Sequence, residues 1–168
     1  MVGDCWSAAE ASRRIVEAGA DVAVLDGCLP DGTGIEICRY ARSVDMGLQC
    51  LKMTSYVDDE VLRGVVLAGA AGYVLRQVRG HHLVEAIRRA ATGESLLDPD
   101  VVERARVWFA KATADPRLFD LTGGKREVLA LISEGLSNRQ ISEALDLAET
   151  GVRELVSTLL IKLGFRRQ

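Results

Sequence analysis

The chain has 168 residues, 48% of them hydrophobic, and a formal net charge of −3. That composition supports a packed core and excludes a disordered chain, and the length suits one ordinary domain or two small ones. No apolar run approaches the roughly 20 residues that span a bilayer. The start, MVGDCWSAAEA, lacks the basic and apolar regions of a secretory signal. A cytoplasmic protein with no membrane partner is expected.

In chain order, residues 7–18 have helical composition and end at Gly19. Asp21-Val22-Ala23-Val24-Leu25-Asp26 is a short β-prone run of the kind buried on both faces of a parallel sheet. Residues 27–34 form a loop with Pro30, Asp31, Gly32 and Gly34. A helix over 35–43 and a second strand over 49–54 follow. Next come a helix over 58–68 opened by acids, a third strand over 71–75 and a helix over 81–92. Strands alternating with helices across short loops predict a parallel sheet with crossover helices.

Asp98 and Pro99 suit the cap and first turn of a linker helix over 101–112. Its Val102, Ala105, Trp108 and Phe109 share a side. Asp115-Pro116 marks a hinge within 113–119. Three helices follow. The first carries Val128, Leu129, Leu131 and Ile132 inward and stops at Gly135. The second is capped by Ser137 and carries Ile141, Ala144 and Leu145. After the break Asp146-Leu147-Ala148, the third places Val152, Leu155, Val156, Leu159, Leu160 and Leu163 inward. A short helix, a tight turn and a longer helix make a helix-turn-helix, whose second helix enters the DNA major groove.

Charge divides the chain the same way. Residues 1–116 hold 13 Lys+Arg against 17 Asp+Glu, a net of −4, while residues 117–168 hold 8 against 7, a net of +1. The expected organisation is an acidic α/β domain over 1–95, a linker helix and hinge over 96–116, and a helix-turn-helix domain over 117–168. The fold class is a flavodoxin-like parallel α/β sheet plus an all-α domain.

Several chemistries are set aside. Cys5, Cys28, Cys38 and Cys50 show no CxxC spacing and read as reduced, mostly buried thiols. His81 and His82 are adjacent, so they read as a solvated helix start rather than two ligands on one face. Gly32-Thr33-Gly34 lacks the third glycine of a dinucleotide loop, because Ile37 stands there. No Ser/His/Asp or Cys/His arrangement stands out, and no enzyme is expected.

Functional groups in open α/β sheets gather beyond the strand carboxyl ends. Those ends offer Asp26, Thr54 and then Tyr73 to Arg76. A carboxylate exposed at a strand tip is placed to accept phosphate. A hydroxyl at Thr54 and a cation at the third strand end are placed to bind it.

The residues from Asp21 to Asp26, Leu29-Pro30-Asp31-Gly32, Gly34, Thr54-Ser55 and Leu67-Ala68-Gly69-Ala70-Ala71-Gly72-Tyr73 resemble the receiver domain of two-component response regulators. Glu127-Val128-Leu129, Glu134-Gly135-Leu136-Ser137-Asn138, Gln140-Ile141 and Lys162-Leu163-Gly164 look like the LuxR/FixJ-type DNA-binding domain. Receiver, linker helix and LuxR-type domain in this order resemble the NarL/FixJ class, in particular the DosR-type dormancy regulators. The resemblance implies a transcriptional regulator with duplex DNA, a sensor histidine kinase and a second copy of the chain as partners. It implies Asp26 as phosphoacceptor and Thr54, Tyr73 and Arg76 as the switch set. It implies Ser137, Asn138, Arg139, Thr150, Val152, Arg153, Glu154, Ser157 and Lys162 as the DNA-facing set.

Two departures shape the expectations. The chain begins where the family's second strand ends, so the acidic pair that holds Mg²⁺ is not in it, and Arg76 stands at the family's lysine. Asp26 alone supplies too few oxygens for octahedral Mg²⁺. No cofactor is therefore expected, and phosphorylation of Asp26 is expected to be weak. Without the family's first strand, the strand ending at Asp26 becomes an edge. Another chain, the linker helix or a longer gene product would cover it. The recognition positions are altered as well. Arg153 keeps a cation able to read guanine, whereas Thr150 loses one, Gly151 loses a hydroxyl and Glu154 brings an acid. The rival reading is a non-DNA-binding interaction module that pairs with a full-length regulator.

Overall fold

A computed structural model of the chain describes residues 2–77, 80–114 and 121–165, with the Cys28 side chain outside that description. Helix α1 (Ala8–Glu17) starts at Ser7, whose hydroxyl accepts from the Glu10 amide. Strand β1 (Val22–Asp26) then enters the sheet. The expected loop at 27–34 is a tight hairpin instead. β2 (Cys28–Leu29) pairs with β3 (Gly32–Thr33) in antiparallel register, Cys28 opposite Thr33 and Leu29 opposite Gly32. Thr33 closes a capping box with Glu36 and launches α2 (Gly34–Val44).

Strand β4 (Gln49–Thr54) follows α2, and Asp58 caps α3 (Asp59–Ala68) through the Val61 amide. Strand β5 (Gly72–Leu75) and helix α4 (Gly80–Ala91) complete the α/β part. The sheet runs β1-β4-β5, all parallel, with Asp26 level with Met53 and Thr54 level with Leu75. Parallel strands bring their carboxyl ends to one side, so Asp26, Thr54 and Leu75 end on the same edge of the molecule.

One sheet face packs under α2 and α3, where Ile35, Ile37, Cys38, Ala41, Val65 and Leu67 are buried. The other carries α4, whose Ala90 closes on Leu51, Ala71 and Val74. Among the described strands β1 pairs only with β4, so its other side is an edge, as the sequence predicts.

The linker helix does not cover that edge. Helix α5 (Pro99–Ala114) packs against α3 and against α6 (Gly123–Ser133). Its Phe109 is fully buried, and Arg63 of α3 stacks over the Trp108 ring at 4.6 Å. The side of α5 that carries Trp108 and Phe109 is therefore used within the chain. The hinge expected at 113–119 falls largely on residues outside the description.

Helix α7 (Asn138–Leu145) and helix α8 (Glu149–Lys162) complete the chain. Gly135 sits at φ 90 just past α6, a conformation that costs glycine least. Ser137 and Gln140 form a reciprocal capping box at the start of α7. Asp146 ends α7 in the left-handed region at φ 51, and Ser142 closes the turn by donating to the Leu147 carbonyl at 2.6 Å. Val128, Leu129, Ile132, Ile141, Val156 and Leu160 are buried as predicted, whereas Ala144 is exposed. The core does not stop at the expected boundaries. One cluster runs from α2 and α3 through Phe109 into Val128, Ile141 and Leu160.

Within α8, a Cβ built on Gly151 meets no atom within 4 Å. Glycine there costs the helix backbone entropy with no packing return. Gly151→Ala should raise stability by about 0.5–1 kcal/mol, read as a higher urea midpoint at unchanged slope. A lower midpoint would mean that α8 is not helical at this position.

Candidate functional site

Two sites emerge, one at the strand ends and one on the helix-turn-helix. At the first, Asp26 caps β1 and the Arg76 guanidinium donates to its carboxylate. Both side chains are roughly half exposed, and such a pair contributes only about 0.2–1 kcal/mol to stability. Its role is orientation: it holds the acid and the cation of two different strands face to face. The Arg76 amide also donates to the Thr54 carbonyl at 2.8 Å, which fixes the end of β5 beside β4. The Thr54 hydroxyl is buried and donates to the Tyr56 carbonyl at 2.8 Å. Tyr73 is half-buried and packs against the core. The structure thus brings Asp26 and Arg76 into contact, with Thr54 committed to its own loop.

The loop after Asp26 is held tightly. A Cβ on Gly34 would lie 2.3 Å from the Asp26 carbonyl oxygen, so only glycine fits that crossing. Asp31 accepts from the amides of Ala8 and Ala9, at 2.6 and 3.0 Å. Those two donors hold its carboxyl below the ordinary carboxylate range. The resemblance to receiver domains implies a Mg²⁺ ion beside the phosphoacceptor. The described residues contain no cluster of three or more His, Cys, Asp or Glu able to hold a metal. One carboxylate already engaged by Arg76 does not fit an octahedral oxygen site.

On the helix-turn-helix, the expected DNA-facing residues separate into three groups. Arg139, Thr150, Arg153, Glu154 and Lys162 are exposed, while Ser137 and Ser157 are half-buried. Val152 is fully buried in the helical core, which corrects its place among DNA-facing residues: its register points inward. Asn138 is also buried, at 2% exposure, because it faces the α/β part.

That last contact was not foreseen. Arg39 of α2 reaches across, and its Nε donates to the Asn138 side-chain carbonyl at 2.9 Å. Its Nη2 donates to the Leu136 carbonyl at 2.9 Å and its Nη1 to the Leu67 carbonyl at 2.7 Å. Burial pushes the Arg39 guanidinium down to about 10. Nearby, the Ser43 hydroxyl donates to Glu149 at 3.0 Å, and Arg153 lies 5.1 Å from the Tyr40 ring centroid. The start of α8 therefore lies against α2. A signal for this existed in the sequence. Arg39 follows Ile35 by one helical turn, which places a cation on the inward face of α2.

Comparison with known proteins fits both sites. Residues 1–88 match the response regulator receiver domain family, and residues 120–168 match the luxR family of bacterial regulatory proteins. The chain is 45% identical over 170 residues to the DNA-binding transcriptional activator DevR/DosR of Mycobacterium tuberculosis, covering 100% of this chain and 78% of that protein. This chain belongs to the LuxR-family response regulators. The response regulator protein VraR of Staphylococcus aureus is 28% identical over 97% of this chain and 77% of its own length. Among solved structures, a LuxR-family two-component response regulator from Aurantimonas sp. SI85-9A1 is 29% identical, with a TM-score of 0.51 over 65% of this chain and 75% of that one. Among the described residues no helix is long and apolar enough to cross a membrane.

Proposed function

We propose that this LuxR-family response regulator is a cytoplasmic, non-enzymatic transcriptional regulator that binds duplex DNA through α7 and α8. The observation that carries the reading is the pair of helices joined at the left-handed Asp146 turn. Helix α8 follows α7 after only the short turn over 146–148, the connection a helix-turn-helix uses, with Arg153 exposed on its first turns. Its similarity to DevR/DosR, named as a DNA-binding transcriptional activator, supports the same reading. Helix-turn-helix proteins read paired half-sites as dimers, so the reading includes a homodimer on DNA. A sensor histidine kinase is the expected partner of the receiver.

The interaction-module reading draws on one observation, that α2 buries Asn138 and sets its Tyr40 ring 5.1 Å from the exposed Arg153. A mobility shift on duplex DNA at low and physiological salt separates the two readings. Arg153→Ala should weaken binding to a preferred duplex by roughly five- to a hundredfold, the worth of one good base contact. The double change Thr150→Lys with Glu154→Asn should strengthen it. Unchanged binding in Arg153→Ala would move base reading away from α8. No binding of any duplex by the starting chain would favour the interaction module.

Within the same reading, Asp26 is the phosphoacceptor position but a poor acceptor from small donors. Its carboxylate is paired with Arg76, and the described residues hold no group of three or more His, Cys, Asp or Glu around it that could seat a metal ion. Incubation of the chain with acetyl phosphate and Mg²⁺ should label it well below one phosphate per chain, and Asp26→Asn should remove that label. Stoichiometric labelling would contradict the account of this site.

A further inference from the structure

We propose that the cavity between α2 and the turn into α7 is a halide site, in which Arg39, Arg42 and Gln140 hold one chloride ion. The inference stands apart from the DNA-binding reading and adds a ligand whose partners come from both modules.

Arg39 and Arg42 are one helical turn apart on the same side of α2. The cavity they line has a volume of about 30 Å³. Gly69 closes it from the end of α3, and Leu136, Ser137 and Gln140 close it from the turn into α7. The rest of its wall is apolar side chain and glycine, and among the described residues no carboxylate lines it. Neither guanidinium has an anionic partner among those residues. Arg39 donates to the Asn138 side-chain carbonyl and to the Leu67 and Leu136 carbonyls, and Arg42 donates to the Gly69 carbonyl. Two like charges therefore share a largely buried place without a counter-ion. Burial above all, together with the Arg42 charge, pushes the Arg39 guanidinium down to about 10.

Two donors at the cavity are left over. The Arg42 Nε is buried and has no hydrogen-bond partner among the described residues. A donor stripped of water in this way destabilises the fold until something accepts from it. The Gln140 side-chain oxygen accepts from the Ser137 amide at 2.9 Å, which leaves its NH2 group to donate. The Gly69 and Leu136 carbonyls already accept from the two arginines. The cavity thus offers cations and N–H donors, and its carbonyls are in use. Its complement is an acceptor that carries negative charge. Water fits less well, because its own hydrogens need acceptors too. Size then selects among anions. A volume of about 30 Å³ admits one water or a body of similar size. A halide ion meets that limit, whereas phosphate and sulfate, with several heavy atoms each, do not. The amino end of α7 adds its partial positive charge.

The test is the thermal midpoint of the full chain, followed by circular dichroism, in mixtures of sodium chloride and sodium gluconate at constant ionic strength. An ion bound only by the folded chain raises the midpoint along a saturating curve, here by about 2–4 °C at full replacement. Sodium bromide should act in the same way. Arg42→Met removes the unpartnered donor and one of the two charges, and should abolish the saturating rise. Gln140→Glu should abolish it by another route. Its carboxylate keeps the bond to the Ser137 amide and supplies the negative charge from within the chain. A glutamate there also strengthens the capping box, so the readout is the loss of chloride dependence and not a higher midpoint. If Arg42→Met fails to fold, Gln140→Glu carries the test alone. A midpoint that stays flat, or drifts linearly with chloride in the starting chain and Gln140→Glu alike, overturns the site and leaves a cavity for water only. A saturating rise that survives in Gln140→Glu also overturns it, by placing the ion elsewhere.

Discussion

A single buried cation sets the arrangement of this protein. Arg39 lies on the inward face of α2, one turn beyond Ile35, and is almost completely removed from water. Desolvating a guanidinium costs several kcal/mol unless hydrogen bonds replace its hydration. The receiver supplies one acceptor, the Leu67 carbonyl, and the other two come from the segment that opens α7. The α/β part alone leaves this residue incompletely satisfied, and docking of the helical module completes it. The core that runs without a break from the sheet to α8 is the apolar counterpart of the same docking.

The strand-end site and the helix-turn-helix obey different constraints. At Asp26 the parallel register and the close crossing of Gly34 fix the backbone, while the Asp26–Arg76 pair lies half in solvent and adds orientation more than energy. At α7 and α8 the hydrogen bonds are buried or partly buried and link residues about a hundred positions apart in the chain. Their geometry depends on both modules being in place. Asn138, Glu149 and Arg153, at the starts of α7 and α8, all meet side chains of α2. Under the proposed function the same segment also faces a duplex.

Periodicity made most elements legible. The Val22–Leu25 run, the acids before α3, Asp98-Pro99 ahead of α5 and Gly135 after α6 each carry a local signal, and local signals set element type and ends. Asp26, Thr54 and Arg76 were legible because parallel topology forces strand ends together. Val152 carried two readings, inward by its register and DNA-facing by its place in the motif, and the structure follows the register. At α5 the sequence shows the apolar stripe with Trp108 and Phe109 but not its partner, here α3 and α6. The Arg39 contact spans residues 99 positions apart, and no local period encodes such a distance. Only the inward register of Arg39 hinted at it.

The central claim is that the Arg39 contacts to Asn138 and Leu136 hold α2 against the start of α7. Amide hydrogen exchange of the full chain and of its Arg39→Met variant tests it most directly. The account predicts faster exchange of residues 39–43 and 138–141 in the variant, with the strands β1, β4 and β5 unchanged. Unchanged exchange of both segments in a folded Arg39→Met chain would contradict it.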